Sequence, residues 1–127
     1  MNLKRSEASV KSSVQKLLKA RGSLCFRMNS FDQIIVEGKK RRRIMGNPSG
    51  TADILVFGRQ RWGEKSSGGV VEKLYRIMPL WIECKSSTGK QSREQRQFQE
   101  LVERENHTYL LVRSADELNS WLNQNFS

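Results

Sequence analysis

The residues best suited to chemistry in this chain are acids and a lysine set in apolar surroundings. Residues 80–85 read Leu-Trp-Ile-Glu-Cys-Lys. In an extended strand Leu80, Ile82 and Cys84 share one face, while Trp81, Glu83 and Lys85 share the other. A carboxylate and an ammonium on an otherwise apolar strand are costly to desolvate unless they pair or serve a ligand. The same holds for Asp53, one of only three aspartates, which opens an apolar stretch after the glycine-bearing segment Gly-Asn-Pro-Ser-Gly-Thr at 46–51. If the two strands are neighbours, Asp53 and Glu83 converge at one end of a sheet. Glu7 lies three residues before Val10 and Gln95 three before Phe98, so each falls on a helical stripe that should face the core. Phosphodiester hydrolysis uses such a set: carboxylates hold Mg²⁺ or Mn²⁺, the cation polarises phosphate and acidifies a water, and a lysine stabilises developing charge.

Taken singly, each residue also has an ordinary reading. Glu83 with Lys85 could be a salt bridge, Asp53 could cap a turn, and Glu7 suits the first turn of a helix through the helix dipole. Other chemistries have less to build on. Cys25 and Cys84 are far apart, with no CxxC spacing and the single histidine, His107, to join them, so zinc ligation is poorly supported. A histidine-centred nuclease would depend on that one residue, which is read instead as the end of a helix.

The elements that must position these groups follow from hydrophobic period and punctuation. Val10, Val14, Leu17 and Leu18 recur at helical spacing over 6–21, with Ser6 as N-cap and Gly22 as terminator. Residues 24–29 and 34–37 read as strands joined by a short turn at 30–32, a hairpin followed by a basic run. Residues 52–57 and 80–85 read as buried strands. Between them, 58–78 carries five basic and two acidic residues and a Gly68-Gly69 turn signal, which predicts a protruding hairpin or a mobile basic flap. A second helix is expected over 92–105 with Gln95, Phe98, Leu101, Val102 and Glu105 near one face. A short strand at 109–112 and a last helix opened by a Ser114/Glu117 capping box complete the chain.

The 127 residues suit a single domain. With 23 Lys and Arg against 13 Asp and Glu the net charge is +10, which favours a polyanionic partner. Five of these charges run consecutively as Lys39, Lys40, Arg41, Arg42 and Arg43, and Arg59 and Arg61 lie in the 58–78 segment; all seven are candidate phosphate contacts. No stretch is long and apolar enough for a membrane span and none reads as a signal core, so a cytoplasmic protein without membrane partner or organic cofactor is expected. Two other readings stay open: a non-catalytic basic nucleic-acid-binding protein, and an interaction subunit whose basic segment docks an acidic partner.

Asp53 followed by Glu83-Cys84-Lys85 resembles the PD-(D/E)XK nuclease pattern, and its surroundings resemble the VRR-NUC branch. These are Glu7 with Val10, Arg43-Ile44-Met45-Gly46 leading to Gly50-Thr51-Ala52-Asp53-Ile54, Trp81-Ile82-Glu83-Cys84-Lys85, and Gly89-Lys90-Gln91-Ser92-Arg93-Glu94-Gln95. The resemblance runs from Glu7 to about Asp116. It implies an α/β, restriction-endonuclease-like αβββαβα core with a central mixed sheet flanked by helices. It further implies Asp53, Glu83 and Glu7 as ligands of Mg²⁺ or Mn²⁺, Lys85 as catalytic lysine and Gln95 as an active-site polar group. Stand-alone members, some phage-encoded, are similar to Holliday-junction resolvases, from which DNA as substrate and a homodimer are expected. Departures are Ala52, where the broad family often has proline, and the 58–78 insertion, which bears on substrate preference as a flap beside the site.

Overall fold

A computed structural model describes residues 5–28, 33–44 and 50–126. The first helix, α1 (Glu7–Ala20), starts where Ser6 Oγ accepts from the Ser9 amide, and its buried stripe is Val10, Val14 and Leu18. Three short strands follow: β1 (Leu24–Arg27), β2 (Gln33–Glu37) and β3 (Lys40–Ile44). Two long strands, β4 (Ile54–Ser67) and β5 (Val70–Cys84), lead to α2 (Arg93–Arg104), β6 (Thr108–Val112) and α3 (Ala115–Asn125). The fold is α/β, with a four-stranded mixed sheet in the order β1-β4-β5-β6. β1 and β4, and β4 and β5, pair antiparallel, whereas β6 runs parallel to β5 because α2 carries the chain back across the sheet.

Three details differ from the sequence reading. β1 does not form a hairpin with β2; it pairs with β4, Leu24 opposite Phe57 and Arg27 opposite Ile54. The expected turn at 30–32 lies outside the described residues. β2 instead pairs with β3, so the basic run is itself a strand of a separate two-stranded sheet, turning through Gly38 at a φ of 59°. The 58–78 segment is indeed a hairpin, but it is no appendage between two strands. It is the continuation of β4 and β5 into one ribbon, closed by Gly68 and Gly69, both at positive φ. The ribbon therefore leaves the sheet at the end opposite Asp53 and Glu83, and the expectation of a flap beside the site is corrected.

One face of the sheet presents Ile54, Val56, Leu80, Ile82, Cys84 and Val112 to α1 and α3, which add Val10, Val14, Leu18, Leu118 and Leu122. On the other face α2 covers Trp81 and Tyr109 through Phe98 and Val102, with Trp81 and Phe98 edge to face at 5.0 Å. Leu101 and Glu105, expected near that buried face, are exposed. No described helix is long and apolar enough to cross a membrane.

Candidate active site

Strand pairing brings the two acids together. Ile54 stands opposite Ile82, so Asp53, one residue before β4, lies beside Glu83, near the end of β5. Both carboxyls are almost wholly withdrawn from solvent, Asp53 at 5% and Glu83 at 1% exposure. Asp53 Oδ2 accepts from the Cys84 amide at 2.8 Å, and the Asp53 carbonyl accepts from the Met28 amide, which ties β1 to the same corner. Its other oxygen, Oδ1, lies 3.2 Å from Lys11 Nζ.

Glu83 is held differently. Oε1 accepts from Gln95 Nε2 at 2.9 Å, while Oε2 is buried with no hydrogen-bond donor. Burial first, then the neighbouring Asp53 charge and a hydrogen bond shared with it, push the Glu83 carboxyl up to about 8 against the pull of Lys85. The buried, donorless oxygen facing a second carboxylate is the local conflict in an otherwise satisfied core. A proton on Glu83 meets it in the folded protein, and hard oxygen donors of this kind could hold Mg²⁺ or Mn²⁺ in its place.

Lys85 follows β5 directly, and its amide donates to the Val112 carbonyl, which fixes its backbone to the end of β6. Its Nζ reaches 3.6 Å from Glu7 Oε1 and 4.0 Å from Glu83 Oε1. Glu7, half-exposed at the start of α1, thus meets the lysine. Among the described residues no three His, Cys, Asp or Glu side chains are drawn together as a metal-holding group, so the acids that adjoin are Asp53 and Glu83.

Gln95 has two tasks that its position explains. As the third residue of α2 its Oε1 accepts from the Ser92 amide at 2.8 Å, while Ser92 Oγ accepts from the Gln95 amide at 3.1 Å. The cap thereby locks the side chain that donates to Glu83. Gly50, at a φ of 86°, lies so close to α2 that a Cβ there would overlap the Glu94 carbonyl and sit 2.9 Å from the Gln95 amide. The loop after Lys85 is pinned by Arg113, whose Nη1 donates to the carbonyls of Ser86 and Gly89 at 2.7 Å.

The structure thus gathers Asp53, Glu83, Lys85, Glu7 and Gln95 at one corner and adds Lys11, which the sequence reading missed. Burial lowers the affinity of Lys11 for its proton, but the charge of Asp53 and its hydrogen bond outweigh this, with Glu7 and Glu83 adding, so it titrates above its ordinary range. The signal was available: Lys11 follows Glu7 by one helical turn, on the edge of the apolar stripe.

The expected nucleic-acid contacts are dispersed. Lys39 is exposed in the turn between β2 and β3; the side chains of Lys40, Arg41, Arg42 and Arg43 lie outside the described residues. Arg59 and Arg61 are exposed on the ribbon, Arg59 over the Tyr75 ring at 3.7 Å and Arg61 paired with Glu64. His107 accepts from Trp81 Nε1 at 3.0 Å, which makes it a partner of the α2 face. Burial pushes the Cys84 thiol up to about 12, far from a thiolate. No family model, curated protein or solved structure matches this chain.

Proposed function

We propose that this protein is a Mg²⁺- or Mn²⁺-dependent deoxyribonuclease of restriction-endonuclease-like architecture, structure-selective for branched DNA. The observation that carries the reading is the buried Asp53–Glu83 pair with a lysine 4.0 Å from one carboxylate and a donorless oxygen on it. A domain this size has no structural need to bury two adjoining acids at the end of its sheet, since well-packed apolar residues there would be at least as stable. Five described strands, not three, separate α1 from α2, but with the separate β2-β3 sheet set aside the order is helix, three strands, helix, strand, helix, which supports the proposed architecture. The resemblance to VRR-NUC nucleases rests on the residue pattern alone.

Asp53 and Glu83 would hold the cation, which when bound polarises phosphate and lowers the pKa of a water. Gln95 fixes the rotamer of Glu83 through Oε1 and leaves Oε2 for the ligand. Lys85, 9% exposed, stands at the rim of the carboxylate pair and stabilises negative charge that develops on the scissile phosphate. Glu7 pairs with the same Lys85 ammonium that faces Glu83, which helps to orient the lysine. Lys11 neutralises Asp53 in the absence of substrate. The net charge of +10 brings the polyanion to the surface without reading its sequence.

The test is a cleavage panel of linear, flap and four-way DNA with Mg²⁺, Mn²⁺ or EDTA, run on wild type and Asp53→Asn. The expected result is metal-dependent cutting of branched substrates by wild type and undiminished binding without cutting by Asp53→Asn. Cutting that persists in excess EDTA, or a wild type that binds every substrate and cuts none, would refute the reading and leave a basic DNA-binding protein.

A further inference from the structure

The sheet face that carries Glu83 and Trp81 is covered by α2 only over β5 and β6. Farther from the site, over β1, β4 and the ribbon, no described element packs on it. Strand register puts Leu24 opposite Phe57, Arg59 opposite Ile77 and Arg61 opposite Tyr75, so these side chains share that face. Phe26 and Phe57 meet edge to face at 6.0 Å and both are exposed. Next along β4, Arg59 lies flat on Tyr75 at 3.7 Å. Then the register slips between Arg61 and Gly63, and the extra residue in the bulge is Trp62, 59% exposed. A bulge of this kind re-aims a side chain and is disfavoured unless it has a use.

Aromatic rings and guanidinium groups therefore alternate along one strand: Phe57, Arg59 on Tyr75, Arg61, Trp62. The ribbon that carries them has five basic and two acidic residues over 58–78. A bare apolar face would suit many partners, but rings interleaved with arginines suit one chemistry, flat aromatic bases joined by phosphates. Duplex DNA hides its bases inside the stack. An unpaired strand exposes them.

We propose that this face is a stacking track for an unpaired DNA strand, which leads from the carboxylate site along β4 to Trp62. The proposal rests on the nuclease reading and narrows its substrate to DNA with a single-stranded arm. At about 3.3 Å per residue Trp62 lies roughly 30 Å along the strand from Asp53. That reach matches the span of about 4–16 nucleotides taken by stacking platforms. The ribbon, though remote from the site, acts on substrate choice by holding the arm that is not cut.

The experiment measures binding in EDTA, where nothing is cut, by fluorescence anisotropy. Its substrates are a blunt duplex and the same duplex with a single-stranded tail of about 12 nucleotides, within the platform's span. Wild type should bind the tailed DNA at least tenfold more tightly, and Trp62→Ala and Phe57→Ala should each remove about tenfold of that gain while blunt affinity stays constant. Trp62→Phe keeps a ring and should keep most of it. Tryptophan emission should be quenched by the tail in wild type and not in Trp62→Phe, which retains Trp81, covered by α2, and Trp121, on the opposite side of the sheet. Trp62 is exposed, so its variants test the track even if Phe57→Ala melts early. Equal affinity of wild type for both substrates, or equal loss on both in Trp62→Ala, would overturn the proposal. Metal-dependent cutting without tail preference would sink the track alone, whereas tail preference without cutting would sink the nuclease reading alone.

Discussion

Glu83 gives the most direct physical test of the site. Its carboxyl is pushed from an ordinary 4.5 up to about 8, chiefly by burial and then by Asp53. The folded protein therefore holds a proton on Glu83 that the unfolded chain releases between these two values. A group raised in this way contributes stability that is fully present below about 4.5 and is lost as pH rises through about 8. The whole interval corresponds to at most about 5 kcal/mol, of which the part above pH 6 is about 3, and partial relaxation around a newly charged group reduces that part to about 1–2 kcal/mol. For a chain of this length each kcal/mol moves the melting temperature by about 3–5 °C, so metal-free protein should melt about 3–10 °C lower at pH 9 than at pH 6. Glu83→Gln keeps the shape and the Gln95 contact region but carries no charge, and should melt nearly independently of pH over that range. Differential scanning calorimetry in EDTA, with wild type and Glu83→Gln run side by side, measures the effect. Saturating Mn²⁺ should raise wild type most at high pH, where no proton has to leave. A wild type whose melting temperature is flat or rises from pH 6 to 9, or a Glu83→Gln protein that falls just as steeply, would refute the argument that Glu83 is the strained acid.

Lys85→Ala should lower cleavage by about a hundredfold or more while DNA affinity and melting in Mg²⁺ stay near wild type, because the cation then satisfies Glu83; early melting with normal cutting would leave Lys85 a structural partner only. Gly50→Ala should be far worse than a loop substitution usually is, at about 2–4 kcal/mol, since it combines positive φ with overlap of the Glu94 backbone; circular dichroism melts and cleavage rates together show whether α2 and Gln95 have shifted. Lys11→Met should cost about 1–2 kcal/mol without metal and tighten Mn²⁺ binding several-fold by calorimetry, because a competing cation has left Asp53.

The elements whose signals are local were legible. Ser6 before a 3.6-period stripe, and Ser114 before α3, announce helix starts because a cap is a contact between residues three apart. Even so, Glu117 reaches the Arg113 amide and not that of Ser114, and the Ser92/Gln95 box went unread because Gln95 was assigned to the core face. Strand partners were less legible. The 24–37 region carries two apolar runs separated by a polar turn, which fits a hairpin, yet β1 is taken by β4 and β2 by β3. Pairing is decided by which apolar face is buried against α1 and α3, a fact about the whole molecule. The ribbon shows the same limit: Gly68-Gly69 marks the turn, but nothing local says that the strands on either side are unbroken extensions of β4 and β5.

For the site, alternation alone puts Glu83 and Lys85 on one face, and adjacency of the strands then brings Asp53 to them. Composition had a harder task with Lys11, one of 23 basic residues in the chain. What distinguishes it is the partner, since Asp53 Oδ1 would otherwise be a buried charge in a low-dielectric corner. The same reasoning orders the whole cluster. Asp53 has a lysine and a backbone amide and rests satisfied; Glu83 has an amide donor on one oxygen and none on the other. The two acids therefore differ although they adjoin, and the one that needs a proton to stay buried is held rigidly by a glutamine that a helix cap locks in turn. Rigidity around an unmet need is what a binding site requires, because a flexible carboxylate would turn to water or to Lys85 and the conflict would vanish. In this corner the chain keeps the conflict, and the capping box of α2, the close approach of Gly50 and the Arg113 clasp on the following loop all serve to keep it.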